Sequence, residues 1–295
     1  MAAKNGSAVS ERELTEIARE AYIYTFPLVL MELTRQQMTN MPQPEGPLGP
    51  PNRFTHVTEF PDSTDKSVVR PNVDTLYSAA WLDLADGPMV LSISRTERYF
   101  MMPMLDMWTE VFAVPGTRTT GSSAQRYLIT PHGWTGTVPR GMTQIAAPTR
   151  WVWFIGRTQT NGKDDIPRVQ KIQQGYQLAP LKAWDKKSYV PPRGRVNPRI
   201  DMKTPPMDQA TRMVPAAFFK LAADLMKDNP PHFNDQPMVA RVARLGMEPG
   251  KSFDPARARP VVKRAIARGA KEAARVIAAH AKSANGQVNG WEIET

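Results

Sequence analysis

The chain has 295 residues, of which 41% are hydrophobic and 22% charged, an ordinary balance for one large globular domain or two modest ones. It contains no cysteine, which excludes disulfides, thiolate metal sites and cysteine nucleophiles, and its four histidines are too few for a histidine-rich metal site. The formal net charge is +10, and half of it falls in residues 255–295, where eight Lys/Arg face three Glu. We interpret this excess as the solvated face of a helix, and we expect no nucleic-acid partner.

The chain has no run of apolar residues as long as the roughly eighteen that a bilayer requires, so we predict no membrane-spanning helix. The polar stretch 1–12 lacks an apolar segment followed by a small-residue cleavage site, so it does not resemble a signal peptide. We therefore expect a cytoplasmic protein as the chain stands, or a periplasmic or secreted one if an N-terminal signal has been removed.

The first predicted element is a helix within an N-terminal helical segment, residues 1–52. Ser10 and Glu13 have the spacing of a capping box, and the apolar residues that follow keep helical spacing up to Tyr24. Pro27 lacks an N–H and is expected to kink or interrupt this helix, which resumes over 28–38. A stretch rich in proline and glycine, 41–51, ends it.

Residues 53–160 form the predicted β-rich core. Short apolar runs follow one another there, and in one of them Met89, Leu91 and Ile93 lie two residues apart, as on one face of a half-buried strand. Many short strands without helices between them favour an antiparallel sandwich or barrel-like sheet over a parallel one. The expected fold class is α+β, with an antiparallel β-sandwich-like core flanked by N-terminal and C-terminal helices.

Residues 161–295 form a predicted helical segment with a proline-rich arm. Asp165 is a candidate N-cap, with Pro167 in the first turn of its helix. The stretch 190–206 is rich in proline and basic residues and is predicted to be extended. Further helices are predicted over 214–227, 237–245 and 259–283, the last with helically spaced apolar residues at Val262, Ile266, Ala270, Ala273, Ile277 and Ala281.

Four stretches between residues 69 and 162 carry a resemblance to a known family: VRPNVDTLYS at 69–78, MLDMW at 104–108, PGTRTTG at 115–121 and IGRTQTNG at 155–162. The chain resembles the bacterial domain of unknown function 1254. The resemblance implies β-rich domains with flanking helices and implies no particular reaction. It also implies a second domain of unknown function, 1214, that follows an Asn-Gly-Trp motif. That motif is present at 289–291 and the sequence ends four residues later, so we expect a truncated chain that stops at the junction to an absent second domain.

The strongest candidate for chemistry is the stretch from Arg70 to Ser78. The proline after Arg70 disfavours helix, so the segment is expected to enter a strand in extended form. Alternation then places Asn72, Asp74 and Ser78 on one face, and the opposite face receives Val73, Thr75 and Tyr77. Asn72 and Asp74 could hold a polar ligand or a cation, or Asp74 could act as a general base. The alternative is a cluster of Asx hydrogen bonds that fixes a turn.

A second candidate is the alternation of Asp106, Trp108 and Glu110 after an apolar run. Two carboxylates beside a tryptophan could grip a sugar or supply acid/base chemistry, and the alternative is a strand end that reaches solvent around one buried tryptophan. His132, in a turn, is the histidine best placed for acid/base chemistry. The arginines near predicted strand ends could bind a carboxylate or phosphate if two converge, or they could be scattered on the surface: Arg118, Arg126, Arg140 and Arg157.

A group of methionines invites comparison with copper sites, because thioethers suit Cu(I): Met101, Met102, Met104 and Met107. In a strand these side chains would divide between two faces, and methionine packs irregular cores well. We assign them to the core, and we expect no metal and no cofactor.

Three functional interpretations remain open. The first, favoured because no nucleophile–base pair is evident, is a domain that binds a small anionic or sugar ligand through Arg70, Asn72, Tyr77, Trp108, Arg118 and Arg157. The second is a metal-independent hydrolase or lyase in which either Asp74 or Asp106 acts together with His132. The third is a structural domain whose C-terminal helix docks a second domain or another subunit.

Overall fold

The computed structural model describes residues 9–61, 72–186, 189–283, 285–288 and 291–294, with side chains described as far as residue 279. Two compact units divide the chain: one combines Met1–Leu30 with Pro205–Thr295, and the other is Met31–Thr204. We call them the helical unit and the sheet unit. This division joins the two ends of the chain, which the sequence pattern treats as separate segments.

Helix α1, Glu11–Thr39, begins in the helical unit and ends in the sheet unit. Its start is capped as predicted, because the N–H of Glu13 donates to Ser10 Oγ at 3.2 Å. Pro27 lies inside the helix, so the predicted interruption is wrong. The hydrogen bond that Pro27 cannot donate is outweighed by burial on both sides of it, where Ala21 and Leu28 are fully buried.

The sheet unit contains a series of short strands and helix α2, Ile166–Gln173, between the last two of them. The strands are β1 Thr55–His56, β2 Thr75–Asp83, β3 Met89–Ile93, β4 Phe100–Met101, β5 Met104–Leu105, β6 Val111–Ala113, β7 Gln125–Thr130, β8 Thr143–Ala146, β9 Trp151–Gln159 and β10 Tyr176–Pro180. One sheet has the order β1-β2-β9-β5-β6, with β4 also paired to β9, and its pairs are antiparallel. The second sheet has the order β10-β3-β7-β8.

The pair β7–β8 is parallel, with Tyr127 opposite Thr143. The α+β class is confirmed, but the expectation of purely antiparallel pairing is wrong at this pair. The connection over 131–142 is long enough to return the chain to the starting end of β7 before β8 begins, as a parallel pair requires. Its prolines and glycines mark the breaks in the sequence without revealing the direction of the strand that follows.

Side chains from both sheets share one hydrophobic core. Leu82 and Phe154 enter it from the first sheet, Leu91 and Ile129 enter it from the second, and all four are fully buried. Each such side chain stabilises the fold by about 1.5–3 kcal/mol relative to leaving it exposed. The methionines were correctly assigned to the core in three cases, because Met102, Met104 and Met107 are fully buried.

The helical unit consists, after the first part of α1, of α3 Pro206–Arg212, α4 Pro215–Leu225, α5 Gln236–Ala243, α6 Pro260–Ser283, β11 Asn285–Val288 and β12 Trp291–Glu294. The rings of Tyr22 and Phe218 stack in its core, with centroids 4.0 Å apart. The hairpin of β11 and β12 lies where no strand was predicted. Within the described ranges, no helix combines the length and the apolar character that a bilayer crossing requires.

Helix α6 packs its apolar side within the helical unit. The buried positions of that side run from Val262 to Ala273. Two of its basic residues reach one carboxylate of α1, since Arg264 lies 2.7 Å and Arg268 4.0 Å from Glu11 oxygens. The face expected to dock an absent domain is therefore covered by this chain as far as Ala273.

Gly269 marks a close approach between α6 and α1. A Cβ added at this position would lie 2.6 Å from the backbone N of Arg19, 2.7 Å from Ala18 Cβ and 2.8 Å from the carbonyl oxygen of Thr15. Backbone atoms cannot rotate out of the way, so the contact requires a residue without a side chain.

Gly269→Ala should lower the free energy of unfolding by about 1–3 kcal/mol, although alanine is the better helix former by about 1 kcal/mol. Urea unfolding of the variant measures this loss. Ala267→Gly, at an exposed position of the same helix, is the control and should lose about 1 kcal/mol through helix propensity alone. A Gly269→Ala protein more stable than the parent would contradict the close approach.

Candidate functional site

Asn72 forms a turn immediately before β2. Its Oδ1 accepts the backbone N–H groups of Asp74 at 2.8 Å and Thr75 at 2.9 Å, and its Nδ2 donates to Thr75 Oγ1 at 2.9 Å and to the Tyr77 hydroxyl at 3.1 Å. The predicted alternation is wrong here, because β2 begins only at Thr75 and Asn72 contacts Tyr77 instead of facing away from it. The Asx turn that was the alternative interpretation is what the structure contains.

Arg157 of β9 lies opposite Tyr77 of β2 in the sheet. Its guanidinium carbon is 5.0 Å from the centre of the Tyr77 ring, which is the geometry of a cation–π contact. Asn72, Tyr77 and Arg157 are therefore brought together by the fold. Asp74 is exposed beside them, and Arg70 lies outside the described residues.

Asp106 caps a tight turn after β5. The 3% exposed side chain accepts the N–H of Trp108 at 2.8 Å and that of Glu110 at 3.0 Å through Oδ1. The predicted strand alternation is wrong here, because β5 ends at Leu105 and Thr109 adopts a positive φ of 72°. Trp108 is almost fully buried. Through these hydrogen bonds Asp106 stabilises the turn.

His132 and Arg118 are exposed in separate turns. His132 follows β7 of the second sheet, whereas Asp74 precedes β2 of the first. Among the described residues, no carboxylate forms a hydrogen bond or ion pair with His132. Nor does any group of three or more His, Asp or Glu side chains in that part of the chain have an arrangement that could hold a metal ion.

A cavity of about 650 Å³ lies in the sheet unit, where β1 and β10 are the edge strands of the two sheets. We call it the β1–β10 cavity. Its aromatic lining residues are Phe54, His56, Tyr176, Trp184 and Tyr189, and its charged ones are Arg53, Asp185 and Lys186. None of these residues was predicted to form a site.

His56 is the titratable group in the wall of this cavity that the fold perturbs most clearly. Burial lowers its pKa from 6.5 to about 4, so the imidazole is neutral at neutral pH. Its Nδ1 lies 2.9 Å from Ser78 Oγ, a spacing that resembles a nucleophile and its base. Ser78 is fully buried, however, so its hydroxyl cannot reach a substrate and instead holds the imidazole in place.

Tyr176 forms another wall of the β1–β10 cavity. Its hydroxyl lies 2.9 Å from Thr158 Oγ1, and burial raises the pKa of Tyr176 to about 12. It therefore stays protonated and uncharged over the whole physiological range. With His56 also neutral, the inner part of the cavity offers polar atoms without a formal charge.

Sequence reasoning missed this site because its residues come from two distant stretches, 53–56 and 176–191. The only signals were local. Phe54 and His56 are two residues apart, as on one face of a strand, and Tyr176, Trp184 and Tyr189 give the second stretch an unusual density of aromatic rings. Neither signal shows that the two stretches meet.

Comparison with known proteins finds a matching family model and a similar fold. Residues 51–180 match the model of a family described as "Protein of unknown function (DUF1254)". The crystal structure of the VPA0106 protein from Vibrio parahaemolyticus is similar over 94% of this chain, with a TM-score of 0.67 and 18% sequence identity. This chain covers 61% of that protein's length, and the likeness at this identity concerns the fold alone. No curated protein sequence matches the chain.

The pKa of His56 predicts a pH dependence of stability. The unfolded chain binds a proton at His56 near pH 6.5 and the folded protein only near pH 4, so stability falls as the pH drops from about 6.5 to about 4. The loss attributable to His56 should reach about 3 kcal/mol. It is measured by urea unfolding at a series of pH values.

His56→Asn is the matched variant, because asparagine can still hydrogen-bond to Ser78 but does not titrate. The difference in unfolding free energy between parent and variant should narrow as the pH falls through this window. A difference that stays constant from pH 7 to pH 4 would show that His56 is not the buried neutral group described.

Proposed function

We propose that this chain, whose residues 51–180 match the DUF1254 family model, binds a small organic molecule in the β1–β10 cavity. The supporting observation is the cavity itself. Its volume of about 650 Å³ lies within the range of about 300–1,000 Å³ typical of ligand sites, and its walls combine aromatic rings with a few polar groups.

The polar groups favour an organic anion or a sugar. Arg53 and Lys186 supply two positive charges to the lining against the single carboxylate of Asp185, which suits an anionic ligand. The rings of Trp184 and Tyr189 suit the apolar face of a sugar or another flat molecule. His56, neutral and positioned by Ser78, can exchange one hydrogen bond with either kind of ligand through its other ring nitrogen.

A second candidate site rests on Asn72, Tyr77 and Arg157. The Arg157 guanidinium is exposed and lies over the Tyr77 ring, and Asn72 fixes the Tyr77 hydroxyl. We propose it as a surface site for a carboxylate, to which Arg157 would donate two hydrogen bonds. A hydrolase or lyase reaction through Asp74 or Asp106 with His132 has no comparable grouping of residues in its favour.

Ala183→Trp tests the cavity, because Ala183 lines it and an indole at this position would occupy part of its volume. We expect the variant to bind at least about tenfold more weakly, a loss of about 1.4 kcal/mol. The measurement is a thermal-shift screen against carboxylates, phosphates and sugars. A ligand at about a hundred times its Kd stabilises the parent by about 2.7 kcal/mol and raises its Tm by several degrees.

Ala124→Trp is the control for this screen, since Ala124 is exposed and does not line the cavity. It should leave every ligand-induced shift unchanged. If a ligand shifts the parent and Ala183→Trp equally, the ligand does not occupy the β1–β10 cavity.

Arg157→Gln separates the two candidate sites. A carboxylate bound at the surface site should lose at least about tenfold in affinity in this variant, because the neutral amide cannot replace two charge-assisted hydrogen bonds. A carboxylate bound in the cavity should be unaffected by Arg157→Gln. The affinities are compared by isothermal titration of Arg157→Gln and Ala183→Trp with the same carboxylate. An unchanged affinity in Arg157→Gln would show that the carboxylate does not bind at the surface site.

A further inference from the structure

The β1–β10 cavity follows the free edge of β10. Among the residues that the structure describes, this strand pairs with β3 alone, in a sheet whose order is β10-β3-β7-β8. The lining of the cavity includes four consecutive residues of the strand: Tyr176, Gln177, Leu178 and Ala179. A ligand in the cavity therefore lies against main chain as well as side chains.

The register of β10 shows which main-chain groups point toward β3. Just before the strand, the N–H of Ser94 donates to the carbonyl of Gly175 at 3.2 Å, and just after it the N–H of Leu181 donates to the carbonyl of Pro88 at 2.9 Å. In an antiparallel ladder the inward-facing residues recur every second position, so Gln177 and Ala179 complete this inward set. The N–H and C=O groups of Tyr176 and Leu178 are consequently directed to the free edge.

These outward groups form a short template for another strand. They comprise two donors and two acceptors, on residues about 6.8 Å apart along the strand. That repeat is the two-residue repeat of an extended peptide, and it has no counterpart in a simple carboxylate or a single sugar ring. Exposed sheet edges bind extended peptides in this way in many proteins.

The side walls of the cavity also suit a strand. Successive side chains of an extended peptide point to opposite sides. Phe54, Tyr176 and Leu178 belong to the hydrophobic core, and His56 lies two residues from Phe54, whereas Gln177 and Ala179 alternate onto the opposite side of β10. Arg53 and Lys186 exceed Asp185 by one positive charge, which favours acidic over basic side chains in the ligand.

Resting on the proposed function of this cavity, we infer that its ligand is a short extended peptide with acidic side chains, added as a strand to the free edge of β10. Main-chain hydrogen bonds to Tyr176 and Leu178 supply the common part of the recognition. The aromatic walls and the basic residues Arg53 and Lys186 select the side chains.

The test uses the full chain and blocked pentapeptides of alternating Val and Glu, with the matched Val and Lys peptides as controls. We expect the acidic peptides to bind and the basic ones to bind at least about fivefold more weakly. Methylating one peptide nitrogen at a time should then weaken binding with a period of two, strongly where the N–H pairs with β10 and little at the positions between. Ala183→Trp should abolish binding, and Ala124→Trp should not.

Amide hydrogen exchange locates the bound strand directly. The amides of Tyr176 and Leu178 should exchange quickly in the free protein and slowly with peptide bound. Those of Gln177 and Ala179, already bonded to β3, should be slow in both states. Unchanged exchange at Tyr176 and Leu178 in the presence of a bound peptide would overturn the inference.

The remaining outcomes separate this inference from the proposed function. Carboxylates or sugars that bind in a manner sensitive to Ala183→Trp, with no peptide binding, would overturn the peptide ligand and leave the cavity as a small-molecule site. Equal weakening by every N-methyl group would also overturn it, because strand pairing has a two-residue period. If the protein forms a dimer through β10 that excludes peptides, the peptide inference is overturned and the edge is an interface between two copies of the chain. If peptide binding survives Ala183→Trp, the peptide does not occupy the cavity and both proposals are overturned.

Discussion

The sheet unit depends on the antiparallel ladder between β2 and β9. Its register runs without a break over nine residues of each strand. One face of the ladder buries Leu82 and Phe154 in the core, and the opposite face sets Arg157 beside Tyr77. A slip of one residue would exchange these two faces, so a single register determines both the core and this surface contact.

The same ladder also positions the wall of the cavity. Ser78, at the middle of β2, has its hydroxyl within the protein interior and directed to His56 of the neighbouring strand β1. The buried serine and the lowered pKa of His56 therefore have one cause, because the pairing of β1 with β2 holds both side chains away from much of the solvent. Removing the pairing of β1 with β2 would expose His56 and restore ordinary titration.

The sequence predicts those features that depend on neighbouring residues. The Ser10 cap, the methionines of the core and the Asx alternative for Asn72 are local, and the structure contains them. Asp106 was predicted to lie in a strand because a turn with a positive φ at Thr109 can have the same alternation of polar and apolar residues as a strand. The β1–β10 cavity depends on two stretches more than a hundred residues apart, and only the order of strands in the two sheets brings them together.

A sheet edge with unpaired hydrogen-bonding groups is a hazard as well as an opportunity, because identical edges can join from one molecule to the next. In this protein the edge of β10 lies within a recess whose other walls include Trp184, Tyr189 and Pro191. A single extended chain needs less room beside these side chains than the broad sheet of a neighbouring molecule would. The same residues that line the cavity therefore bear on solubility, because removing their side chains would leave the edge of β10 more open to pairing with a second molecule.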